Sequence, residues 1–327
     1  MPHKRWLLYM LLIMWCVVAV GKSVATTPAA FYFIGAGARA RGVGNAFVGV
    51  ADDASAAYWN PAGLTQLKAP SLMLMDRITT LDTNYINVAG ALPLRSAGAL
   101  GVNFIYYGVD DIPIFDENAR PGGNLSDKEG AVSLSYANSI SNLSFGVSVK
   151  GILQMMDSSD DASTTVETRT RGAGIDIALL YQLSSRFQVG VIFHDKITME
   201  DADDDALYSV EIPRSIISGV LYRLPIDEHR LHFMADVEQQ QDQPLRLHVG
   251  MEAVFAKLLA LRAGLNDVLV ETRDTDIDFE DLFNATLNPT LGAGVMWSVG
   301  TTTISADYAA SFEKIGIRHF VSIGTAF

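Results

Sequence analysis

The sequence predicts an all-β protein: a closed antiparallel transmembrane β-barrel of about fourteen strands with an amino-terminal hatch, or plug, inside its lumen. Two-residue alternation of apolar and polar side chains recurs from residue 70 to the end of the chain. The connections between alternating segments are by turns short and long. Ahead of the first strand lie an apolar leader and a glycine- and alanine-rich block that is a poor candidate for a core helix.

The leader comes first. His3, Lys4 and Arg5 form a basic region, Trp6 to Val20 an apolar run, and Ser23-Val24-Ala25 a small-residue cleavage site, so residues 1-25 read as a signal peptide and the mature chain as starting near Thr26. The apolar run is shorter than the ~20 residues of a spanning helix. Cys16 is the only cysteine and lies in the leader, which leaves the exported chain without thiol chemistry or disulfides. Without Lys4, Arg5 and Lys22 the chain keeps 21 basic residues against 37 acidic ones, a balance of −16 that argues against nucleic-acid binding.

Residues 26-67 are expected to form the hatch segment and residues 68-327 the barrel. Leu245 to Phe255 shows the alternation most cleanly: Leu245, Leu247, Val249, Met251, Ala253 and Phe255 share one face, and Arg246, His248, Gly250, Glu252 and Val254 the other. The same exercise gives strands at 70-78, 84-94, 98-108, 130-139, 143-154, 172-183, 186-194, 214-224, 229-238, 245-255, 258-265, 289-298, 302-310 and 318-327. Strands of roughly ten residues suit a tilted crossing of a bilayer, and a soluble sandwich has no reason to keep that length so regularly.

The links after the even-numbered strands are short, as at Ser141-Asn142 and Ser184-Ser185, whereas 109-129, 155-171, 195-213 and 266-288 are long. That is the arrangement of a bacterial outer-membrane barrel with periplasmic termini. Hydrophobicity is 49%, yet no apolar run outside the leader is long enough for a helical span, as expected when apolar residues are spread one in two around a lipid-facing belt. The last strand ends on Phe327, like the recognition signal of outer-membrane barrels.

About eight strands already enclose enough room for their own side chains, so fourteen leave a lumen to be filled. Many inward positions are small, among them Ser133, Gly146, Gly190, Gly250, Gly264 and Gly292. The block Gly35 to Leu64 is the expected filler. Its Gly and Ala residues allow close backbone packing, and Arg39, Arg41, Asp52 and Asp53 have wall candidates in Lys150, Asp176, Arg223, Asp236, Glu238, Arg246, Glu252, Arg262 and Asp307. An unpaired buried charge is costly, so pairing is expected there.

Gly-Ala-Arg at 37 to 39, Gly-Val-Gly-Asn-Ala-Phe at 42 to 47, Ala-Asp-Asp-Ala-Ser at 51 to 55 and Tyr-Trp-Asn-Pro-Ala-Gly-Leu at 58 to 64 resemble the hatch of the FadL-like outer-membrane transporter superfamily, especially a short, PorV-like branch. The resemblance implies passive transport of long-chain fatty acids or other hydrophobic small molecules in the outer membrane, gated by the hatch. Asn60, Pro61 and Ala62 match its Asn-Pro-Ala motif. It also implies a wall kink near the third strand, where Gly98, Gly101, Asn103 and Gly108 lie, and capture by outer loops, where Ile112, Ile114, Phe115, Leu282 and Phe283 are the apolar candidates. The expected partners are a hydrophobic molecule or lipid, together with outer-membrane lipids and lipopolysaccharide. The alternative is a PorV-like barrel acting as a secretion-system partner or docking exported cargo.

Catalytic chemistry is not expected. The exported histidines show no helical metal-ligand spacing, no nucleophile elbow is present, and the acidic runs at 201 to 205 and 274 to 281 lack the glycine turn of a calcium loop. No cofactor or metal is expected.

Overall fold

The computed structural model describes residues 30–78, 83–115, 121–160, 165–201, 209–270, 287–314 and 316–327. The expected leader, the start near Thr26, and Leu282 and Phe283 lie outside the described residues.

Alternation becomes a two-faced wall. In β1 (Ser71–Ile78) the buried Ser71, Met73, Met75 and Arg77 alternate with the exposed Leu72, Leu74, Asp76 and Ile78. The chain continues through β2 (Thr83–Pro93), β3 (Ala99–Phe115), β4 (Pro121–Ile140), β5 (Leu143–Asp160), β6 (Thr165–Gln182) and β7 (Phe187–His194), each antiparallel to the one before. A hairpin of β8 (Ile197–Asp201) and β9 (Ser209–Ile212) follows. Then come β10 (Ser215–Ile226), β11 (His229–Gln240), β12 (Leu245–Phe255), β13 (Leu259–Val270), β14 (Asn288–Val299), β15 (Thr302–Glu313) and β16 (Gly316–Ala326).

β7 pairs with β10, and β16 pairs with β1 from Ser71↔Ala326 to Ile78↔His319, so fourteen of the sixteen strands close one ring. Closure removes the unpaired sheet edge, which hydrocarbon would not tolerate. Leucine, isoleucine, valine and phenylalanine side chains dominate the outer face, including Leu134, Val149, Ile177 and Leu291. Tyr136, Tyr181, Tyr222, Trp297 and Tyr308 also face outward. The short turns are tight; Ala256 and Lys257 both have positive φ at the centre of a turn that the Leu258 N–H closes by donating to the Phe255 carbonyl at 2.9 Å.

Each of the fourteen expected spans falls on one barrel strand, but the long connections differ from expectation. β3 and β4 run on through most of 109–129, and β5 and β6 through most of 155–171. Beyond the lipid neither strand face has to be apolar, so hydrogen-bonded extension leaves no hydropathy signature. Ile112, Ile114 and Phe115 therefore lie exposed on the paired end of β3 and not in an open loop.

The stretch 195–213 also contains structure. β8 and β9 keep the register of β7 and β10, since Ser215 pairs with His194 and Ile197 with Ile212. Opposed breaks at Asp195-Lys196 and Pro213-Arg214 change which residues face in: Ile197, Met199 and Ile212 are buried. Ile197 lies against Gly172 and Gly174 of β6, where any side chain would collide with it.

Candidate functional site

Residues 30–67 pack against the inner faces of strands all around the ring. They form short helical turns at Ala38–Gly42 and Ala56–Trp59 and 3-10 turns at Ala30–Ile34 and Pro61–Gln66. Phe47, Leu64, Ala51 and Ala62 are fully buried. Wall glycines let the two backbones touch: Gly146 meets Ala62, Gly190 meets Val48, Gly250 meets Val43, and Gly264 meets Gly44, with no room for a Cβ at any of the four. Gly44 itself has φ +68, a conformation that glycine adopts without strain.

Arg39 is the electrostatic centre of this contact. Its Nε and Nη2 donate to Oε1 and Oε2 of Glu252 at 2.9 and 3.0 Å, and its Nη1 donates to Asp52 at 2.6 Å and Asp53 at 3.2 Å. Glu252 also accepts from Arg262 Nε at 2.8 Å and lies 3.2 Å from His232 Nδ1, while Arg262 donates to Asp307 at 2.7 Å. Burial disfavours the Arg39 cation, but Asp52, Glu252 and Asp53 outweigh it and hold its pKa well above the usual value. Arg41 reaches Glu313 at 2.7 Å and lies over the Phe320 ring; burial, the larger effect, pushes its pKa down.

Hydrogen bonds fix the remaining motif residues. Asp236 of β11 accepts the backbone N–H groups of Phe47 and Val48, each at 2.8 Å. Asp53 accepts the Ser55 N–H at 2.9 Å and so starts the turn at Ala56–Trp59. Asn60 caps the next turn by accepting the Ala62 N–H at 3.1 Å, and its Nδ2 donates to the carbonyls of Val48 at 2.9 Å and Leu179 at 3.2 Å. Pro61 follows at the first position of that turn, where a missing N–H costs nothing. The Asn-Pro-Ala motif thus joins two parts of the segment to β6.

The segment lies between two cavities. One of about 310 Å³, at the short-turn end, is lined by the Arg39 cluster together with Ser71, Met73 and Ser322. The other, also about 310 Å³, lies toward the long-connection end, between the segment and β5, β7 to β14. Tyr32, Tyr58, Trp59, Ile197 and Ile212 give it an apolar side; Glu238, Arg246, His248 and Asp267 give it a polar one. Burial pushes the phenol pKa values of Tyr32 and Tyr58 well up.

Strand register also assembles a group that helical spacing rules miss. A shift between Leu247 and Val249 places Asn266 and Asp267 together opposite His248. Ligand atoms of Glu238, His248 and Asp267 then lie within 4.8 Å of one another, the arrangement among the described residues best suited to a metal ion. His248 was legible as an inward residue; the bulge that brings Asp267 to it was not.

The third strand shows no kink at the expected residues. The β2–β3 and β3–β4 ladders are continuous through Gly101, Asn103 and Gly108, and the pairing shifts only beyond Val109, between Val109 and Ile112 and again between Ile114 and Phe115. Gly101 instead makes room for Leu64 and Ala57, Asn103 accepts from Asn87 at 2.7 Å, and Gly98 forms the β2–β3 turn at φ +93.

No family model and no curated protein matches the chain. Solved structures do. The CymD monoaromatic hydrocarbon channel is 15% identical with TM-score 0.60, over 90% of this chain and 98% of its own. The Pseudomonas putida toluene transporter TodX is 12% identical with TM-score 0.60, over 90% and 99%. A Pseudomonas aeruginosa FadL homologue is 14% identical with TM-score 0.54, over 94% and 99%. The chain has the fold of FadL-like outer-membrane transporters, a barrel of the outer-membrane type, and the proteins it resembles are described as channels and transporters.

Proposed function

We propose that this barrel carries small hydrophobic molecules passively across the bacterial outer membrane, with residues 30–67 as the hatch that must yield for passage. The observation that carries the reading is the position of the segment between two cavities, one toward each end of the barrel. Short turns face the periplasm in barrels of this kind, so the aromatic-lined cavity is on the receiving side and the Arg39 cluster on the delivery side. Residues 1-25 serve as the cleaved export signal, and the aliphatic outer face meets outer-membrane lipids and lipopolysaccharide.

Transfer needs no energy source, since each CH₂ buried contributes about 0.8 kcal/mol. A cavity of about 310 Å³ is at the small end of the range for ligand pockets, which favours a compact cargo over a long-chain fatty acid. Toluene and monoaromatic hydrocarbons are the cargoes named for the similar structures, and molecules of that size fit this reading. Ile112, Ile114 and Phe115 supply an exposed apolar surface at the outer end for first capture. The two cavities favour transport over docking of a secretion-system partner.

Removing residues 35 to 64 while keeping the barrel tests this directly. Proteoliposomes holding the shortened protein should admit toluene faster than those holding the full chain. Equal uptake by the two would rule out gating by the hatch. A protein partner that stays bound through purification, with no toluene uptake by either form, would favour docking.

A further inference from the structure

The receiving-side cavity carries more charge than a purely hydrocarbon cargo needs. Among its lining residues are the carboxylates of Asp195, Asp236, Glu238 and Asp267, against the cations of Lys150 and Arg246. Both cations already have counter-ions. Lys150 Nζ donates to Asp176 at 2.6 Å, and Arg246 lies 3.8 Å from Glu238. His194 and His248 also line the cavity, 3.0 Å from Asp176 and 3.3 Å from Glu238; even with both counted as cations and Asp176 as an anion, carboxylates outnumber cations five to four. A carboxylate cargo would meet like charge there, in a setting where water screens it poorly.

The opposite side of the same cavity is aromatic. The Tyr32 and Tyr58 rings lie 5.3 Å apart between centroids, and Tyr58 and Trp59 meet edge to face at 4.9 Å. That corner already receives an ammonium group: Lys150 Nζ sits 5.3 Å from the Tyr32 ring centroid. Aromatic faces attract cations within about 6 Å, most strongly where water is excluded. The cavity thus combines ring faces, aliphatic side chains from Ile197 and Ile212, and a pair of carboxylates, Glu238 and Asp267, grouped around His248.

We infer that this cavity selects protonated amines on a compact hydrophobic body, with the ammonium held by Glu238 and Asp267 and the body lying against Tyr58, Trp59 and Ile197. The inference rests on the transport reading in taking the cavity as a cargo site, and narrows its cargo to a chemical class. Aliphatic contact supplies the affinity that any hydrophobic cargo would gain; the carboxylate pair separates cations from neutral and anionic molecules of the same shape.

Benzylammonium, toluene and benzoate share one skeleton and differ in charge, so they form the test set. Calorimetric titration of the detergent-solubilised full-length barrel should show benzylammonium binding about tenfold tighter than toluene, as expected for a gained hydrogen bond to a charged group, with benzoate weakest. Glu238→Gln and Asp267→Asn should each bring the ratio of benzylammonium to toluene affinity most of the way to one. Added salt should weaken benzylammonium alone. Toluene binding as tightly as benzylammonium in the unaltered protein would overturn the inference and leave transport standing. Benzoate binding best would overturn it as well. Absence of binding by all three would also overturn it, and the hatch-deletion uptake assay would then judge transport separately. The ranking in the unaltered barrel needs no variant to fold.

Discussion

Arg39 and Glu252 form a two-point contact across the lumen, Nε to Oε1 at 2.9 Å and Nη2 to Oε2 at 3.0 Å, joining the inner segment of residues 30–67 to β12. Glu252 is 3% exposed at its side chain and Arg39 20%, so the pair is largely shielded from water. Glu252 also serves Arg262, which makes it the more consequential partner. Glu252→Gln leaves two guanidinium groups short of an anion. Breaking a buried pair from one side costs about 3–5 kcal/mol, and part of that cost falls on hatch docking because Arg39 is a hatch residue. Arg39→Ala should cost less, since Glu252 keeps Arg262. Denaturant unfolding should rank the variants in that order, and planar-bilayer recordings should show both with more frequent openings than the parent.

The backbone contact between residues 30–67 and the wall is a separate attachment. Gly264 abuts Val43 and Gly44, and a side chain on it would overlap main-chain atoms that cannot rotate away. Gly264→Val should therefore displace the hatch from β13 while the barrel still closes. Heat-modified migration on gels should remain that of a folded barrel, and conductance should rise. Gly130→Val is the control: its Cβ would find nothing closer than 3.8 Å, and neither measurement should change.

Asn60 secures the inner segment through one accepted and two donated hydrogen bonds. Asn60→Ala removes a helix cap worth about 1 kcal/mol and leaves the Val48 and Leu179 carbonyls without that donor. Amide hydrogen exchange should quicken at residues 62 to 66 and around Val48, with the wall strands unchanged. Exchange that stayed uniform across the hatch would show that the motif does not hold it.

The wall was legible because a lipid-facing strand must alternate, and Leu245 to Phe255 writes that rule residue by residue. The inward charges were legible for the same reason: parity alone places Asp236, Glu252, Arg262 and Asp307 in the lumen, where they are buried. Pairing was not, because Arg39 meets Glu252 across 213 positions and nothing local encodes the meeting. The bulge at Asn266-Asp267 and the β8–β9 hairpin escaped for a different reason. Each depends on a break in parity, and a broken alternation reads from sequence as a loop. The glycines of the third strand were misread in the opposite sense, since Gly101 provides space for Leu64 where a kink was expected.

That hairpin leads to the last prediction. Ile197 seats on Gly172 and Gly174 and lines the cavity at the long-connection end together with Ile212, so β8 and β9 cover part of it from that end. The cover is anchored on one side only: β8 pairs with β6 from Gly172↔Met199 to Thr170↔Asp201, whereas β9 pairs with β8 alone among the described strands, so the seating of Ile197 supplements a single ladder. Ile197→Asp replaces an apolar contact by a buried carboxylate beside Lys150, a cation already engaged by Asp176, and burying a charge without a counter-ion is strongly unfavourable. The hairpin should then lift and admit water. Trp59 lines that cavity and can report the change, since the other tryptophan among the described residues, Trp297, faces outward and can be replaced by Phe. In that background Ile197→Asp should shift Trp59 emission to the red and raise its quenching by acrylamide, while Ile197→Leu should leave both near the parent values. Equal quenching in the aspartate and leucine variants would mean that the hairpin does not shield the cavity.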